Sequence, residues 1–581
     1  MSSASQYRCL FAICSVLSAG LSQSPASAQT ASQITPQSFA PPARGANDSG
    51  FTIGAQPGLD APPGAADLFV TLGGVDVQGG FPELSGPQAE LSARLSGKRL
   101  SAAEIFAAAR ELEAAYARAG YVLVRVTLPP QKIVDGARLR LVVIDGFIER
   151  IETRNVPGRV RKRIADLLAP LQGKRGLKLR DLERRVLLAG DTPGVILRST
   201  LAPGSVPGAA ILVIEAKYQQ VAGVFTADNT LSASLGGAQV GVGADFNSVL
   251  GLGETAYVRL TGDPVGGLNG LFSDYPRNRI LAAGVVAPIG TDGLTLNVED
   301  TQARTTPVAT QGLAATDRFQ RLSVRVRYPW VRSRQADFAT QIAFDAQDET
   351  ETLLPDQASL PIFADRLRVL RVTGDGDYRT AWGGTFTGTM TASFGLNVLG
   401  ARTGADASAA LPLSRQGADA TFSKLDGQIG YSQSLTPHLA LSLSARGQTS
   451  FGSPLLRSEQ IGLAGPDDLS AYDLGMLQGD SGAVGRAELS SPFALTKVVT
   501  PVGVVTAPYV FGAVGGYSVY DPTALEPSHV RAGSYGIGLR MGASAPGAQS
   551  NGQFTLEFAR RTASGGLPDD NRFTALASVR F

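Results

Sequence analysis

Two hydrophobic periods divide this chain. From about Gln219 to Phe581, apolar and polar residues alternate one by one, the two-residue period of a strand with one apolar face. Arg321 to Tyr328 sets Leu322, Val324, Val326 and Tyr328 against Arg321, Ser323, Arg325 and Arg327. Glu254 to Thr261, Leu439 to Arg446 and Gln553 to Arg560 alternate in the same way. So does the final segment, where Phe573, Ala575, Ala577, Val579 and Phe581 oppose Arg572, Thr574, Ser578 and Arg580. About sixteen such segments of about ten residues are separated by turns rich in Gly, Asp, Asn and Pro.

Between Leu68 and Ala216 the period changes. Ser101 and Glu104 form an S-x-x-E capping box; Ile105, Ala108, Leu112, Ala115, Tyr116 and Ala119 follow at helical spacing, and Gly120 stands at the C-terminal cap. Strands are expected at Leu68–Val77, Tyr121–Leu128 and Arg138–Ile144, giving a β-α-α-β-β module. The order repeats with strand Phe147–Thr153, helices Val160–Leu171 and Leu179–Ala189, and strands Val195–Leu201 and Ala209–Ala216.

A β region of this size would need many protected edges as a soluble sandwich. A closed membrane barrel has no edges and satisfies its backbone internally. The arginines in the polar rows suit a wet lumen, and an even number of alternating strands fits the outer-membrane type. The longest uncharged stretch, Val498–Tyr520, contains Pro501, Pro508 and four glycines, so it predicts two strands around a turn instead of a helix. Ahead of the modules, Met1 to Ala28 has Arg8, an apolar run and Ala26-Ser27-Ala28, the marks of a signal peptide cleaved before Gln29. Both cysteines, Cys9 and Cys14, leave with it. Gln29 to Ala66 is rich in Pro, Ala, Gly and Ser, and is expected to be a flexible leader without a long helix. The organisation is thus 1–28 signal peptide, 29–66 leader, 67–146 and 147–218 modules, and 219–581 barrel.

Composition narrows the chemistry. Only 18% of residues are charged and the formal net charge is +2, so no nucleic-acid partner is implied. Two histidines and a mature chain without cysteine leave little for a metal site, and there is no phosphate-binding G-x-x-x-x-G-K-[ST]. Neither cofactor nor enzymatic activity is expected. Gly479-Asp480-Ser481-Gly482 imitates a serine-protease motif, but His438 and His529, the candidate bases, lie in unsuitable contexts.

The joint order of several short motifs resembles the outer-membrane transporters of two-partner secretion, the TpsB or ShlB/FhaC/HecB haemolysin secretion/activation type of the BamA-like superfamily. In the first module these are Tyr116-x-x-x-Gly120-Tyr121, Leu128-Pro129-x-Gln131 and Val143-Ile144-Asp145-Gly146; in the second, Leu182-Glu183-Arg184 and Asp191-Thr192-Pro193-Gly194. The barrel adds Asn247 to Gly253, Tyr328-Pro329, Leu477-Gln478-Gly479-Asp480 and Arg486-Ala487-Glu488-Leu489. The resemblance implies two periplasmic POTRA modules before a sixteen-stranded antiparallel barrel, with a loop at about 450–480 folded inward. At that loop's tip, in Asp468-Leu469-Ser470-Ala471-Tyr472, the family's V-R-G-Y/F keeps its tyrosine, but Ser470 replaces arginine and Ala471 glycine. The inner-wall motif F-x-D-x-G reads Phe511-Gly512-Ala513-Val514-Gly515, with Ala513 in place of aspartate. An unpaired buried charge costs about 3–5 kcal/mol, so losing both partners avoids a penalty that losing one would incur. The loop is therefore expected still to fold inward, held by contacts such as Tyr472.

The resemblance further implies transport of a large secreted exoprotein, of haemolysin or adhesin type, recognised by its N-terminal secretion domain. Capture is expected by β-augmentation on a POTRA edge such as Tyr121–Leu128 or Ala209–Ala216. Phe581 would be the signal read by the outer-membrane assembly machinery, and membrane lipid would contact the outer rows. The alternative function is an assembly or insertion factor for other outer-membrane proteins, whose relatives often carry three or five modules.

Overall fold

The computed structural model describes residues 29–42, 50–53, 60–308, 314–354, 360–499, 502–524, 526–544, 550–564 and 569–581. The segment 1–28, expected to be a signal peptide, and both cysteines lie outside these residues.

The first module contains strands Phe69–Thr71, Gly74–Gln78, Arg125–Thr127 and Arg138–Ile144, and helices Ser85–Leu95 and Ala102–Arg118. The long helix starts as its capping box dictates. Ser101 Oγ accepts from Glu104 N–H at 3.2 Å, and Glu104 returns to Ser101 N–H at 2.7 Å. Arg138–Ile144 lies between Gly74–Gln78, parallel to it, and Arg125–Thr127, antiparallel. Leu72, Ile105, Leu112, Tyr116, Leu139 and Leu141 fill the space under the helices. The expected single strand Leu68–Val77 is two strands, because the chain bends at Gly73, where a Cβ would strike the Gly136 carbonyl. Tyr121–Leu128 shortens to Arg125–Thr127.

The second module repeats this plan. Ala209–Tyr218 lies between Phe147–Asn155, parallel, and Val195–Pro203, antiparallel. Helices Gly158–Leu168 and Leu179–Gly190 cover Ile148, Ile164, Leu182 and Leu212. Ala209–Ala216 is therefore no edge: it is bonded on both sides, which corrects its expected role in β-augmentation. The outer side of Val195–Pro203 is occupied as well. Residues Gly50–Ile53 of the leader pair with it in parallel, Gly50 opposite Arg198 and Ile53 opposite Leu201.

Sixteen antiparallel strands close the barrel, from Val221–Asp228 to Asp570–Arg580. The twelfth is interrupted at Ser491-Pro492, and its halves, Ser481–Ser490 and Phe493–Val499, both pair with the thirteenth, Val502–Ser518. The uncharged stretch Val498–Tyr520, expected to be two strands around a turn, is instead mostly one strand, Val502–Ser518, with only Val498 and Val499 belonging to the strand before it. Closure joins Val224 to Arg580 and Asp228 to Leu576. Phe581 N–H and C=O both bond Gly223, and the ring lies where a Cβ on residue 223 would be, within 2.5 Å.

Burial in the sixth strand, Ala314–Arg332, inverts the rule for a soluble protein. Leu322, Val324 and Val326 are 46%, 39% and 41% exposed, whereas Arg321, Ser323 and Arg325 are 4%, 0% and 7% exposed. The exposed row can only face lipid, and the buried charged row faces an interior packed with polar partners.

The second module docks on the turns at one end of the barrel. Arg332 forms a bidentate pair with Asp191 (2.6 and 3.0 Å) and also reaches Asp337 at 2.5 Å. Arg334 pairs with Glu183 at 2.8 Å and Arg185 with Asp292 at 2.8 Å. Arg184 donates to the Trp330 and Asp292 carbonyls and lies over the Tyr328 ring. The motif residues Glu183, Arg184, Asp191 and Tyr328 thus share one role, seating the module on the barrel.

Candidate functional site

The lumen is occupied by two segments of the chain. The first is the loop between the eleventh strand, Leu439–Thr449, and the twelfth. Ile461–Gly462 pairs with Gln478–Gly479 into a short hairpin, and the stretch between them folds inward. Leu463, Leu469, Ala471, Tyr472 and Leu477 pack on Val484, Tyr509, Phe511, Ala513, Val530 and Ala559 of the wall. Tyr472 donates to the Thr562 carbonyl at 2.8 Å, and the Arg561 guanidinium lies 5.6 Å from its ring centre. Ala471 N–H donates to Ser534 Oγ at 3.2 Å, and Asp468 accepts from Arg446 at 2.5 Å.

Ser470 meets an arginine that projects from the wall. Arg486 donates to Ser470 Oγ at 3.1 Å and to Glu557 at 2.6 Å, and its guanidinium carbon lies 3.7 Å from the centre of the Phe511 ring. Glu557 also accepts from the Tyr509 hydroxyl at 2.8 Å. Glu488 is paired with Arg540 at 2.9 Å. Ala513 stands opposite Arg486 in the ladder and adds only apolar contact. The wall acids are thus already matched to wall arginines, and a loop hydroxyl suffices as a third partner. Val514 and Gly515 contribute differently. Val514 faces outward, and Gly515 lets the twelfth strand approach, since a Cβ there would lie 2.8 Å from the Ala483 carbonyl.

Gly479 and Asp480 end the loop. Asp480 is fully buried and accepts from Arg415 (2.7 and 3.0 Å), Leu455 N–H, Gln460 and Tyr520 N–H. One carboxylate thereby ties together segments that follow the ninth, eleventh and thirteenth strands, at the barrel end away from the modules. Ser481 Oγ accepts from Ser450 N–H at 3.0 Å, so the protease-like quartet works as a loop clasp.

The second occupant is the leader. Residues 29–42 were expected to be flexible; instead they run down the lumen, from the end far from the modules to the end near them. Gln29, Thr30, Ala31 and Ile34 are buried, and Ala31–Ile34 is a single helical turn. Wall contacts order residues 29–42 with this single turn as their only helix among the described residues. Ala31 N–H donates to Asp317 at 2.8 Å and Ser32 N–H to Glu349 at 3.2 Å. Lower down, Arg321 and Arg325 donate to the Pro36 and Gln37 carbonyls at 2.7 and 2.8 Å, and Phe39 N–H donates to Glu299 at 2.8 Å. Gln29 is clasped by Ser232 and the Leu474 carbonyl, and Gln33 bonds Gln478 at 2.5 Å. The two occupants therefore also touch each other. A cavity of about 1150 Å³ opens beneath the leader toward the modules, lined by Pro41, Asp191, Arg327, Arg332 and Asp375 among others.

The model of the haemolysin secretion/activation proteins ShlB/FhaC/HecB matches residues 208–541, and the ShlB-type POTRA domain matches residues 70–146. The chain belongs to the ShlB/FhaC/HecB family. It is an outer-membrane barrel with its POTRA region on the periplasmic side, so the docked turns are periplasmic and the Asp480 clasp lies toward the cell surface. Among relatives, the outer membrane transporter CdiB of Dickeya dadantii (strain 3937) is 26% identical over 383 residues, 64% of each chain. The heme/hemopexin transporter protein HuxB of Haemophilus influenzae (strain 86-028NP) is 24% identical over 181 residues, 31% of this chain and 32% of that protein. The match thus spans less than two thirds of either curated relative. CdiB from Escherichia coli shares the fold, with TM-score 0.67 at 19% identity over 95% of this chain and 94% of that one. CdiB from Acinetobacter baumannii gives 0.58 at 13%, over 99% and 97%.

In this ShlB/FhaC/HecB chain the module motifs are architectural. Gly120 takes φ +94°, which ends the helix so that Tyr121 can turn inward onto Phe81 and Tyr116. Pro129 ends the edge-strand segment. Gln131 then bonds both the N–H and the C=O of Arg140 (2.9 and 2.7 Å), taking over from the finished strand. Gly146 passes so close to the Leu123 carbonyl that a Cβ would collide with it. Pro193-Gly194 turns the second module toward the barrel, with Gly194 at φ +74° packed on Gln219 and Asn247.

The resemblance drew attention to the loop and its wall motif, and missed Glu299, Asp317, Glu349, Arg415 and Glu557. Their signal was present in the sequence: each except Arg415 is a charge in the buried phase of an alternating strand.

Proposed function

We propose that this protein exports a large partner polypeptide, of haemolysin or adhesin type, from the periplasm to the cell surface. The single observation that carries the reading is a lumen lined with matched charges that already encloses an irregular stretch of polypeptide from its surface end to its periplasmic end. Family membership and the relatives named as transporters support it. On this reading the second module is a second POTRA domain, cleavage before Gln29 releases the leader to enter the lumen, and Phe581 is the mark read during barrel assembly. The partner's secretion domain is captured on a module edge. Arg125–Thr127 remains available, although Val126 N–H is already bonded to Glu113, and Phe147–Asn155 offers an edge on the second module. Polypeptide then passes through the lumen as leader and loop give way. No nucleotide chemistry is needed; folding of the partner outside the cell would supply direction.

Surface proteomics of the native host with and without this gene tests the reading. One very large secreted or surface protein should disappear while other outer-membrane proteins keep their levels. A general fall in outer-membrane proteins would instead identify an assembly factor.

A further inference from the structure

The wall holds the leader chiefly by its main chain. Six bonds run between leader backbone atoms and the fifth, sixth and seventh strands. Thr305 donates to the Gln29 carbonyl at 3.2 Å, Asp317 and Glu349 accept from Ala31 and Ser32 N–H, Arg321 and Arg325 donate to the Pro36 and Gln37 carbonyls, and Glu299 accepts from Phe39 N–H. Among the described residues the same three strands make one side-chain hydrogen bond to the leader, from Ser38 to Glu299 at 3.3 Å. Gln29 and Gln33 bond to loops instead, and Ile34 and the half-buried Phe39 pack on an apolar group that includes Leu231, Leu235 and Phe319.

The lower half of this contact surface has the chemistry of a strand edge. Arg325 and Glu299 are paired at 3.2 Å, so a donor and an acceptor stand side by side. They take the carbonyl of Gln37 and the N–H of Phe39, atoms two residues apart that any non-proline sequence presents on one side when extended. Arg325 is fixed by Asn297 at 2.8 Å, and Glu299 by Tyr257 at 2.7 Å, so the pair keeps its aim. Bonds to charged groups are the strong ones, and neither partner reads the side chain of the residue it holds.

We propose that Glu299, Arg321 and Arg325 form a main-chain track that binds any non-helical polypeptide in the lumen, and that the leader is its resident occupant. The physiological ligand, the exported partner, rests on the export reading; the track itself does not. Because the register repeats every two residues, a moving chain re-engages the same groups after each such step, without a requirement for sequence.

The test uses purified protein lacking residues 29–42 in planar bilayers, with synthetic leader peptide added from the module side as a blocker. A peptide with Gln37 and Ser38 both changed to alanine should block within about threefold of the native peptide. A peptide N-methylated at Phe39 and Ala31 should need at least about tenfold more, the loss expected from removing bonds to charged groups. In the full chain, which does not depend on the deletion folding, the Gln37→Ala, Ser38→Ala double variant should keep the closed conductance. Glu299→Gln with Arg325→Gln should raise it. The proposal is overturned if the alanine peptide loses block while the methylated one keeps it, or if the alanine double variant opens the channel and the wall variant does not. Should the track behave as described while no protein depends on this chain for export, the proposed function fails and the track stands.

Discussion

Arg486→Met isolates the cost of the buried pair behind the inward loop. Arg486 and Glu557 are 8% and 3% exposed and meet at 2.6 Å. Methionine still covers the Phe511 ring and fills much of the space, so the main loss is the charge. Glu557 would keep the Tyr509 hydroxyl alone, and its Oε1 has no bonded partner among the described residues. Stranding a buried carboxylate costs about 3–5 kcal/mol. Removing the charge as well, in Arg486→Met with Glu557→Gln, leaves an amide that can still accept from Tyr509. The double variant should recover all but about 1 kcal/mol of the loss, and so be about 2–4 kcal/mol more stable than Arg486→Met. Guanidinium unfolding of the barrel in detergent, with folded and unfolded forms resolved by gel mobility, measures this. Limited proteolysis within Gly465–Leu477 reports whether the loop has left the wall. A double variant no more stable than Arg486→Met, or a single variant losing under about 1 kcal/mol, would refute the account of the wall as a set of matched charges.

Ser470→Arg should weaken loop seating, because the new guanidinium meets Arg486 at a site whose acids are already engaged; adding Ala513→Asp should restore protease resistance to the parent level, and equal sensitivity of both variants would end the pairing idea. Arg332→Ala should loosen the second module from the barrel by about 1–2 kcal/mol, Asp191 being partly in water, and faster amide exchange in Leu179–Gly190 would register it. Gly475→Ala places a side chain at φ +82°, at a cost of about 1–2 kcal/mol, beside Gln33 of the leader, and should raise single-channel open time. In the first module, bonds from the Ser101 N–H and hydroxyl hold the Glu104 carboxyl below its usual range. A group depressed on folding stabilises above its unfolded value, near 4.5, and loses that contribution as pH falls through the folded one. Ser101→Ala should therefore speed exchange in the first turn of Ala102–Arg118 at both pH 7 and pH 3, through loss of the cap on Glu104 N–H, and by more at pH 7, where the bond from the hydroxyl to the charged carboxylate is lost as well.

The sequence by itself determined the elements whose causes are local. Alternation with charges on one phase required strands with one apolar face, and the capping box began the helix at Ala102 because Ser101 and Glu104 satisfy each other's backbone partners within one turn. The inward loop was legible through its resemblance, since Tyr472 and Gly479-Asp480 keep their spacing even where Ser470 and Ala513 depart. The arginines in the polar rows also assigned the faces, polar to a wet lumen and apolar to lipid, and the burial of Arg321 and Arg325 beside exposed Leu322 and Val324 agrees with it. Only the tertiary structure decided which lumen charges meet which partners. The same holds for sheet order, which made Ala209–Ala216 a centre instead of an edge. It holds most of all for the leader. Gln29 to Pro42 has no pattern that commits it to a structure, because what orders it is not its own period but carboxylates and guanidiniums from strands about 260–320 residues away in sequence. Contacts with main-chain atoms leave no mark on the sequence of the segment that makes them.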